Sequence, residues 1–164
     1  MSEWKEVKLG EVCNYSTEKI TMEYVNVDNY ISTENMLTNK GGITSSSGLP
    51  KSKVTPKYSK GNVLISNIRP YFKKIWYADK HGGASTDILI MQSNDKINSK
   101  YLYYVLSQDD FFEFMTITAK GTKMPRGDKA TIIKYSINLP PLEEQKAIAD
   151  ILSSLDDKSS LTTK

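Results

Sequence analysis

LPPLEEQKAIADILSSLDDK, residues 139–158, is the clearest helix in the chain, and how its apolar side is covered decides the fold. Pro140 or Pro141 suits the first turn, where a missing N–H loses no helical hydrogen bond. Glu143 and Glu144 place negative charge at the positive end of the helix dipole. Ile148, Ile151, Leu152 and Leu155 recur at i, i+3, i+4 and i+7, and Leu142 and Ala147 extend the stripe. After Leu155 the chain is polar, and Ser159, Ser160, Thr162 and Thr163 extend helices poorly. The helix is therefore expected to stop about six residues before the chain does. Its stripe has two open readings: it docks on its own domain, or part of it meets a helix from a second copy or a partner.

Upstream, the pattern changes from helical to extended. EWKEVKLGEV alternates at Trp4, Val7, Leu9 and Val12 and reads as a short strand or edge segment. YVNVDNYIST is rich in β-formers, and VLISNI (63–68), KKIWYA (73–78), TDILIMQ (86–92) and IIKYSINLP (132–140) read as strands. DKHGGAS reads as a glycine-rich turn with an exposed His81, and NKGGITSSSGLP (39–50) as a polar loop within a domain. Residues 96–117 take helical spacing, capped by Asn98 or Ser99, with their aromatics assigned to the core. The layout is α+β: one compact domain, residues 1–140, with a twisted, mostly antiparallel sheet and flanking helices. A C-terminal helix and polar tail, 141–164, follow it.

Cys13, the sole cysteine, is read as a buried small side chain, which excludes an internal disulfide framework and suits a reducing cytoplasm. One His and one Cys cannot make a structural zinc site, so no metal is expected. No apolar run is long enough for a membrane span. Charge is segregated along the chain: nine basic residues stand against one acid between Met36 and Lys80, and five against one between residues 115 and 134. A polyanion-binding face needs such segregation, although a lysine-rich solvated surface produces it too.

Several segments together resemble the DNA-specificity subunit of type I restriction–modification systems. LPPLEEQKAIADILSSLD resembles the segment that follows each target recognition domain in that family. EWKEVKLGEV, ISTENM (31–36), GNVLISNIRP (61–70), GASTDILIM, YLYYVLSQDDF and AKGTKMPRGDK match further family segments in order. The resemblance implies a target recognition domain with no catalysis of its own. It would bind double-stranded DNA and methyltransferase subunits, direct adenine methylation, and direct cleavage where a motor subunit joins. S-adenosylmethionine would reside on the methyltransferase partner, and the chain itself would hold no cofactor. A full subunit usually carries two such domains and this chain carries one, so the chain is expected to be either a naturally shortened half-subunit, the favoured reading, or one half of a longer protein. Two copies would pair through the helix (Leu142, Ile148, Ile151, Leu152, Leu155) and read inverted half-sites.

Base readout needs side chains able to make directed hydrogen bonds, and phosphate contacts need cations, hydroxyls or backbone N–H groups. The loop and its flank offer Asn39, Thr44, Ser45, Ser46, Ser47, Lys51 and Lys53 for sequence readout. Arg69 either grips a phosphate or pairs with a carboxylate such as Asp87. Lys73 and Lys74, read as strand residues, would point to opposite faces, leaving Lys73 as the candidate. Lys123, Arg126 and Lys129 crowd one turn, which either contacts phosphates, Arg126 foremost, or is a surface turn packed on a neighbour. Asp128-Lys129 and Asp156-Asp157-Lys158 lack the strand context and second spaced acid of a nuclease, and no nucleotide-binding or methyltransferase motif is present. The rival reading is a scaffold or decoy for methyltransferase subunits that reads no DNA.

Overall fold

Two strands hold the middle of the molecule because both of their faces are covered. A computed structural model describes residues 3–162. In β6 (Val63–Ser66), Val63 and Ile65 join the larger core while Leu64 joins a second one. In β9 (Ile88–Ser93), Leu89 and Met91 face the larger core while Ile88 and Ile90 face the second. Side chains alternate across a strand, so burial on both faces writes VLISNI and TDILIMQ as unbroken apolar runs. The two strands pair antiparallel, with Leu64 opposite Ile90.

β2 (Cys13–Tyr15) and β7 (Ile75–Tyr77) complete this sheet in the order β2-β9-β6-β7. A second sheet contains β3 (Lys19–Thr21), β5 (Val54–Tyr58), β8 (Gly82–Ala84) and β4 (Tyr30–Ile31), in that order. Only its β4–β8 pair is parallel among the described strands. A ribbon of β1 (Lys5–Lys8) and β10 (Ser136–Leu139) brings residue 5 opposite residue 139. The α+β, antiparallel-rich architecture is thus as expected, but the strands divide among three sheets rather than one. A short 3-10 turn at Leu9–Glu11 carries the chain from the ribbon into the first sheet, and another at Met22–Tyr24 joins β3 to β4 within the second.

Three local readings are corrected. YVNVDNYIST keeps only β4 as strand, because Asn26 and Asn29 hydrogen-bond the nearby backbone and fold residues 26–29 into a turn. The glycine-rich DKHGGAS is not merely a turn: Gly82 and Gly83 lie in β8, and a Cβ on Gly82 would stand 2.1 Å from the Asn29 carbonyl oxygen. Glycine is there for close approach of backbones. Residues 96–117 form two helices, α1 (Ser99–Leu106) and α2 (Asp109–Thr118), divided at Ser107 and Gln108. Asn98 caps α1 by accepting from the Tyr101 N–H at 2.9 Å. Leu102, Leu106, Phe111, Phe112 and Met115 all enter the larger core, where the aromatics were assigned. Cys13 is buried there too, and desolvation pushes its thiol up to about 12, so it stays protonated at neutral pH.

After the single turn of α3 (Lys129–Ile132) and β10, the chain enters α4 (Leu142–Thr162). This helix does not end near residue 158: it runs through Thr162, while Thr163 lies outside the described residues. The low propensity of serine and threonine amounts to only a few tenths of a kcal/mol per residue, roughly, too little to stop a helix already nucleated and docked. Among the described residues no helix is long and apolar enough to cross a membrane.

Gln145 fixes where α4 sits. Its buried side-chain oxygen accepts from the Asn98 N–H at 2.7 Å, and its amide nitrogen donates to the carbonyls of Pro140 at 2.8 Å and Lys96 at 3.2 Å. One side chain therefore joins the end of β10, the start of α4 and the entry to α1. Lys100 to Ser153 and Tyr104 to Asp156 continue the α1–α4 contact.

At the other end of the molecule, α2 secures two turns through Asp109. Lys40 and Lys73 reach one oxygen of its carboxylate at 3.0 and 2.9 Å. The Lys73 and Lys40 ammonium groups hold the Asp109 carboxyl below its ordinary range.

Two stability measurements follow from these ties. Gln145→Leu strips partners from three backbone groups, and urea unfolding should show a loss of about 2–4 kcal/mol. Asp109→Asn should lower stability slightly at neutral pH. Because the folded-state carboxyl is the more acidic, that difference is full above the unfolded-state value and vanishes as pH falls through the folded-state one. High salt should also shrink it, since the carboxylate is fully exposed.

Candidate nucleic-acid interface

Beyond β6 the chain reaches Asn67, Ile68 and Arg69 and enters a 3-10 turn, Pro70–Phe72. Arg69 precedes that turn at φ 49° and Lys73 follows it at φ 54°, both left-handed. Asn39 and Lys40, at φ 54° and 62°, bind this same turn through backbone bonds from the Asn39 N–H to the Phe72 carbonyl (2.9 Å) and from the Lys40 N–H to the Lys73 carbonyl (2.7 Å). Every non-glycine residue with positive φ among the described residues thus belongs to this one assembly. Such backbone is costly for side-chain-bearing residues and concentrates at functional sites.

A second turn, residues 120–126, closes on itself through paired backbone bonds between Lys120 and Arg126. It docks on the first: the Arg69 N–H donates to the Pro125 carbonyl and the Gly127 N–H to the Asn67 carbonyl. A Cβ on Gly127 would meet the Asn67 side-chain oxygen at 2.5 Å, so a larger residue here would have to displace side chains where the segments meet. The two turns enclose a depression of about 430 Å³ lined by Arg69, Phe72, Lys74, Met124 and Arg126, together with Thr33, Glu34, Ile68 and Asp87. A second depression, about 350 Å³, shares Thr33, Glu34 and Asp87 with it and continues past Ser46, Ser47, Gly48, Leu49 and Pro50. The groove so formed runs from the polar loop to the two cationic turns.

Asp87 stands where the halves of the groove join, and its ion-pair partner is Arg126. The open reading of Arg69 is thereby narrowed: among the described residues Asp87 is not its partner, and Arg69 lines the groove half-buried. Lys74, held by the Thr33 carbonyl at 2.7 Å, is the cation that sequence reasoning passed over. Lys73 and Lys74 do not lie on a strand, since β7 starts at Ile75, so alternation says nothing about their directions.

The remaining sequence candidates divide. Ser46 and Ser47 line the groove, with the Ser46 hydroxyl turned to the Gly48 carbonyl. Thr44 and Ser45 line a separate depression with Asp28, Trp76, Asp79 and Lys80, where Ser45 donates to Asp28. Asn39 contributes backbone to the strained turn and Lys73 is engaged by Asp109. Lys51 and Lys53 are exposed just past Pro50, and Lys123 is exposed on the turn beside Met124. Lys129 is elsewhere, over the Tyr15 ring at 5.4 Å, lining a small crevice with Lys19 and Pro56. The cation-rich segment therefore does not form one face: Lys60 lies at the start of β6, beside Gly61 and the Ser99 end of α1, whereas Arg69 lies past its other end. No group of three or more metal-ligating side chains occurs among the described residues.

The helical seam is divided as well. Ala149 is buried, and Ile148 and Leu152 are half-buried, with Ile148 against the larger core. Ile151 and Leu155 remain 61% and 56% exposed. Leu142 is also exposed, but nine residues at 3.6 per turn place it on the opposite side of α4 from Ile151. Of the five seam residues, Ile151 and Leu155 present one open apolar face, with Ile148 at its edge.

The chain is similar to the type I restriction enzyme MjaVIII specificity subunit of Methanocaldococcus jannaschii, 40% identical over 74 residues, 45% of this chain and 17% of that protein. It is 28% identical to the HindI specificity subunit of Haemophilus influenzae over 172 aligned positions, covering all of this chain and 38% of the relative. The crystal structure of the HsdS subunit from Thermoanaerobacter tengcongensis superposes with a TM-score of 0.73 at 24% identity, over 97% of this chain and 43% of that one. The type I S subunit from M. genitalium gives 0.67 at 17% identity, over 99% and 41%. The chain thus spans under half the length of each of these relatives, and the two structures share its fold. The sequence profile of the type I restriction modification DNA specificity domain matches residues 1–164, and the chain belongs to that family.

Proposed function

We propose that this chain is the DNA-reading half of a type I specificity subunit. It selects the duplex sequence at which methyltransferase subunits modify adenine and, where a motor subunit joins, the sequence that directs cleavage. The chain supplies no catalytic group on this reading, and S-adenosylmethionine belongs to the methyltransferase partner. The observation that carries the proposal is the groove in which Arg69, Lys74 and Arg126 converge with the Ser46–Ser47 edge of the polar loop. Cations there grip phosphates, and hydroxyls meet base edges.

The ion pair between Arg126 and Asp87 sharpens the mechanism. A phosphate competing for the guanidinium exchanges one anionic partner for another, which preserves the charge-assisted bond. Asp87 is then left beside the duplex, where a carboxylate accepts hydrogen bonds only from base amino groups. We further propose that two copies pair through the Ile151 and Leu155 side of α4. An isologous pair of identical readers calls for an inverted-repeat target.

Fluorescence anisotropy across a salt series tests the reader. Arg126→Ala should weaken binding to all sequences alike and reduce the salt slope by roughly one unit. Replacing Ser46 and Ser47 by alanine should instead change which sequence is preferred, by about 1–3 kcal/mol per lost base contact. Firm association with a methyltransferase subunit and no DNA affinity would establish the scaffold in its place. For the pairing, sedimentation should give a dimer that Ile151→Glu with Leu155→Glu converts to monomer. A wild-type chain that stays monomeric with and without DNA would overturn the pairing.

A further inference from the structure

The aromatic pair on the strained turn has no part in the core. Tyr71 and Phe72 are 45% and 39% exposed, yet they stand on one of the most constrained pieces of backbone in the molecule. Their rings meet edge to face, with centroids 5.0 Å apart. The turn beneath them closes internally, by bonds from the Phe72 N–H to the Arg69 carbonyl and from the Lys73 N–H to the Pro70 carbonyl, both 3.0 Å. The 38–41 turn braces it on one side, the 120–126 turn on the other, and the Asp109 carboxylate ties down the first brace. Left-handed backbone at Arg69, Lys73, Asn39 and Lys40 is unfavourable by itself. Exposed ring surface is unfavourable as well. A fold that holds both in one place is keeping the rings in a set position for something that covers them.

The surroundings indicate what covers them. Phe72 and Met124 line the groove with Arg69, Lys74 and Arg126, and the Lys74 ammonium lies 5.7 Å from the Phe72 ring centroid. Lys40 and Lys73, at the foot of the turn, are engaged by Asp109, and Arg126 by Asp87, which leaves Arg69 and Lys74 as the cations beside Phe72 that make no ion pair among the described residues. An apolar tip flanked by such cations is complementary to stacked bases flanked by phosphates. Aromatic and aliphatic wedges enter duplexes between base steps, at the expense of local unstacking that is lowest at pyrimidine–purine steps.

We propose that Tyr71 and Phe72 are a wedge that inserts at one base step of the duplex held in the groove, while Arg69 and Lys74 hold the phosphates beside that step. The proposal rests on the DNA-reading function above and adds to it a source of specificity without hydrogen bonds. The inserted step is chosen by how readily it unstacks, not by its donor and acceptor pattern.

Duplexes selected by the wild-type chain from a random-sequence library provide the probe, with 2-aminopurine placed at successive positions. Binding should raise 2-aminopurine fluorescence at one step and leave the others unchanged. Tyr71→Ala with Phe72→Ala should abolish that rise and weaken binding roughly ten- to a hundredfold with an unaltered salt slope. Arg69→Ala, by contrast, should reduce the slope. Phe72→Leu, which keeps an apolar tip on the same backbone, should retain part of the fluorescence rise and so separates the wedge from a folding defect. A chain that binds with sequence preference but brightens no position, or whose alanine variant binds as tightly as wild type, overturns the wedge and leaves the reader standing. Loss of methyltransferase capture with unchanged DNA binding would overturn it in favour of a protein contact. Absence of salt-sensitive binding to any duplex would instead remove the reading on which it rests.

Discussion

The placement of the terminal helix depends on one buried amide. Gln145 is the Gln of LPPLEEQ, and its side chain serves backbone groups of Asn98, Lys96 and Pro140. A buried N–H or carbonyl without a partner is far more costly than an average hydrogen bond is favourable. An amide accepts one bond here while donating two, which a single hydroxyl cannot, and it does so at the first turn of α4, where both flanking segments meet. The motif is therefore a structural joint. It fixes the entry to α1, the exit from β10 and the direction in which α4 leaves the domain.

How far the sequence could be read follows from where the physics is local. Two-sided burial makes β6 and β9 legible as apolar runs, and the Asn98 cap and the Pro-Pro-Leu-Glu-Glu start of α4 carry their own signatures. Gly82 and Gly83 carry the opposite signature: glycine marks turns in general, and only the approach of Asn29 and Thr55 shows that these two are strand residues. The break between α1 and α2 is hidden because apolar residues continue on both sides of it. Tertiary contacts likewise decide that Ile148 docks on the core and Leu152 is half-buried while Ile151 and Leu155 stay exposed, although one stripe contains all four.

The groove was legible in its parts and not in its assembly. Charge counted along the chain treats Lys60 and Arg69 alike, yet a strand separates them, and Lys129 belongs to another crevice. The convergence of Ser46, Arg69 and Arg126 comes from bridges between distant turns, which no spacing rule encodes. Tyr71 and Phe72 had one signal available, an aromatic pair set between Pro70 and two lysines. Propensity gives no hint that Asn39, Lys40, Arg69 and Lys73 would all adopt left-handed backbone, because each is held there by partners remote in sequence.

The route from helix to groove has a mechanical consequence. Gly61, at the start of β6, abuts Ser99 of α1, which lies alongside α4, while Arg69 opens the cationic turns past the other end of the strand. The four residues of β6 span roughly 13 Å. That span is paired on both edges and packed on both faces, so it cannot bend without breaking the sheet. Whatever seizes the open side of α4 thus sets the groove at a fixed distance and angle. The groove needs no flexible linker to be aimed, and the spacing between it and anything else on the same helix is a property of the folded domain.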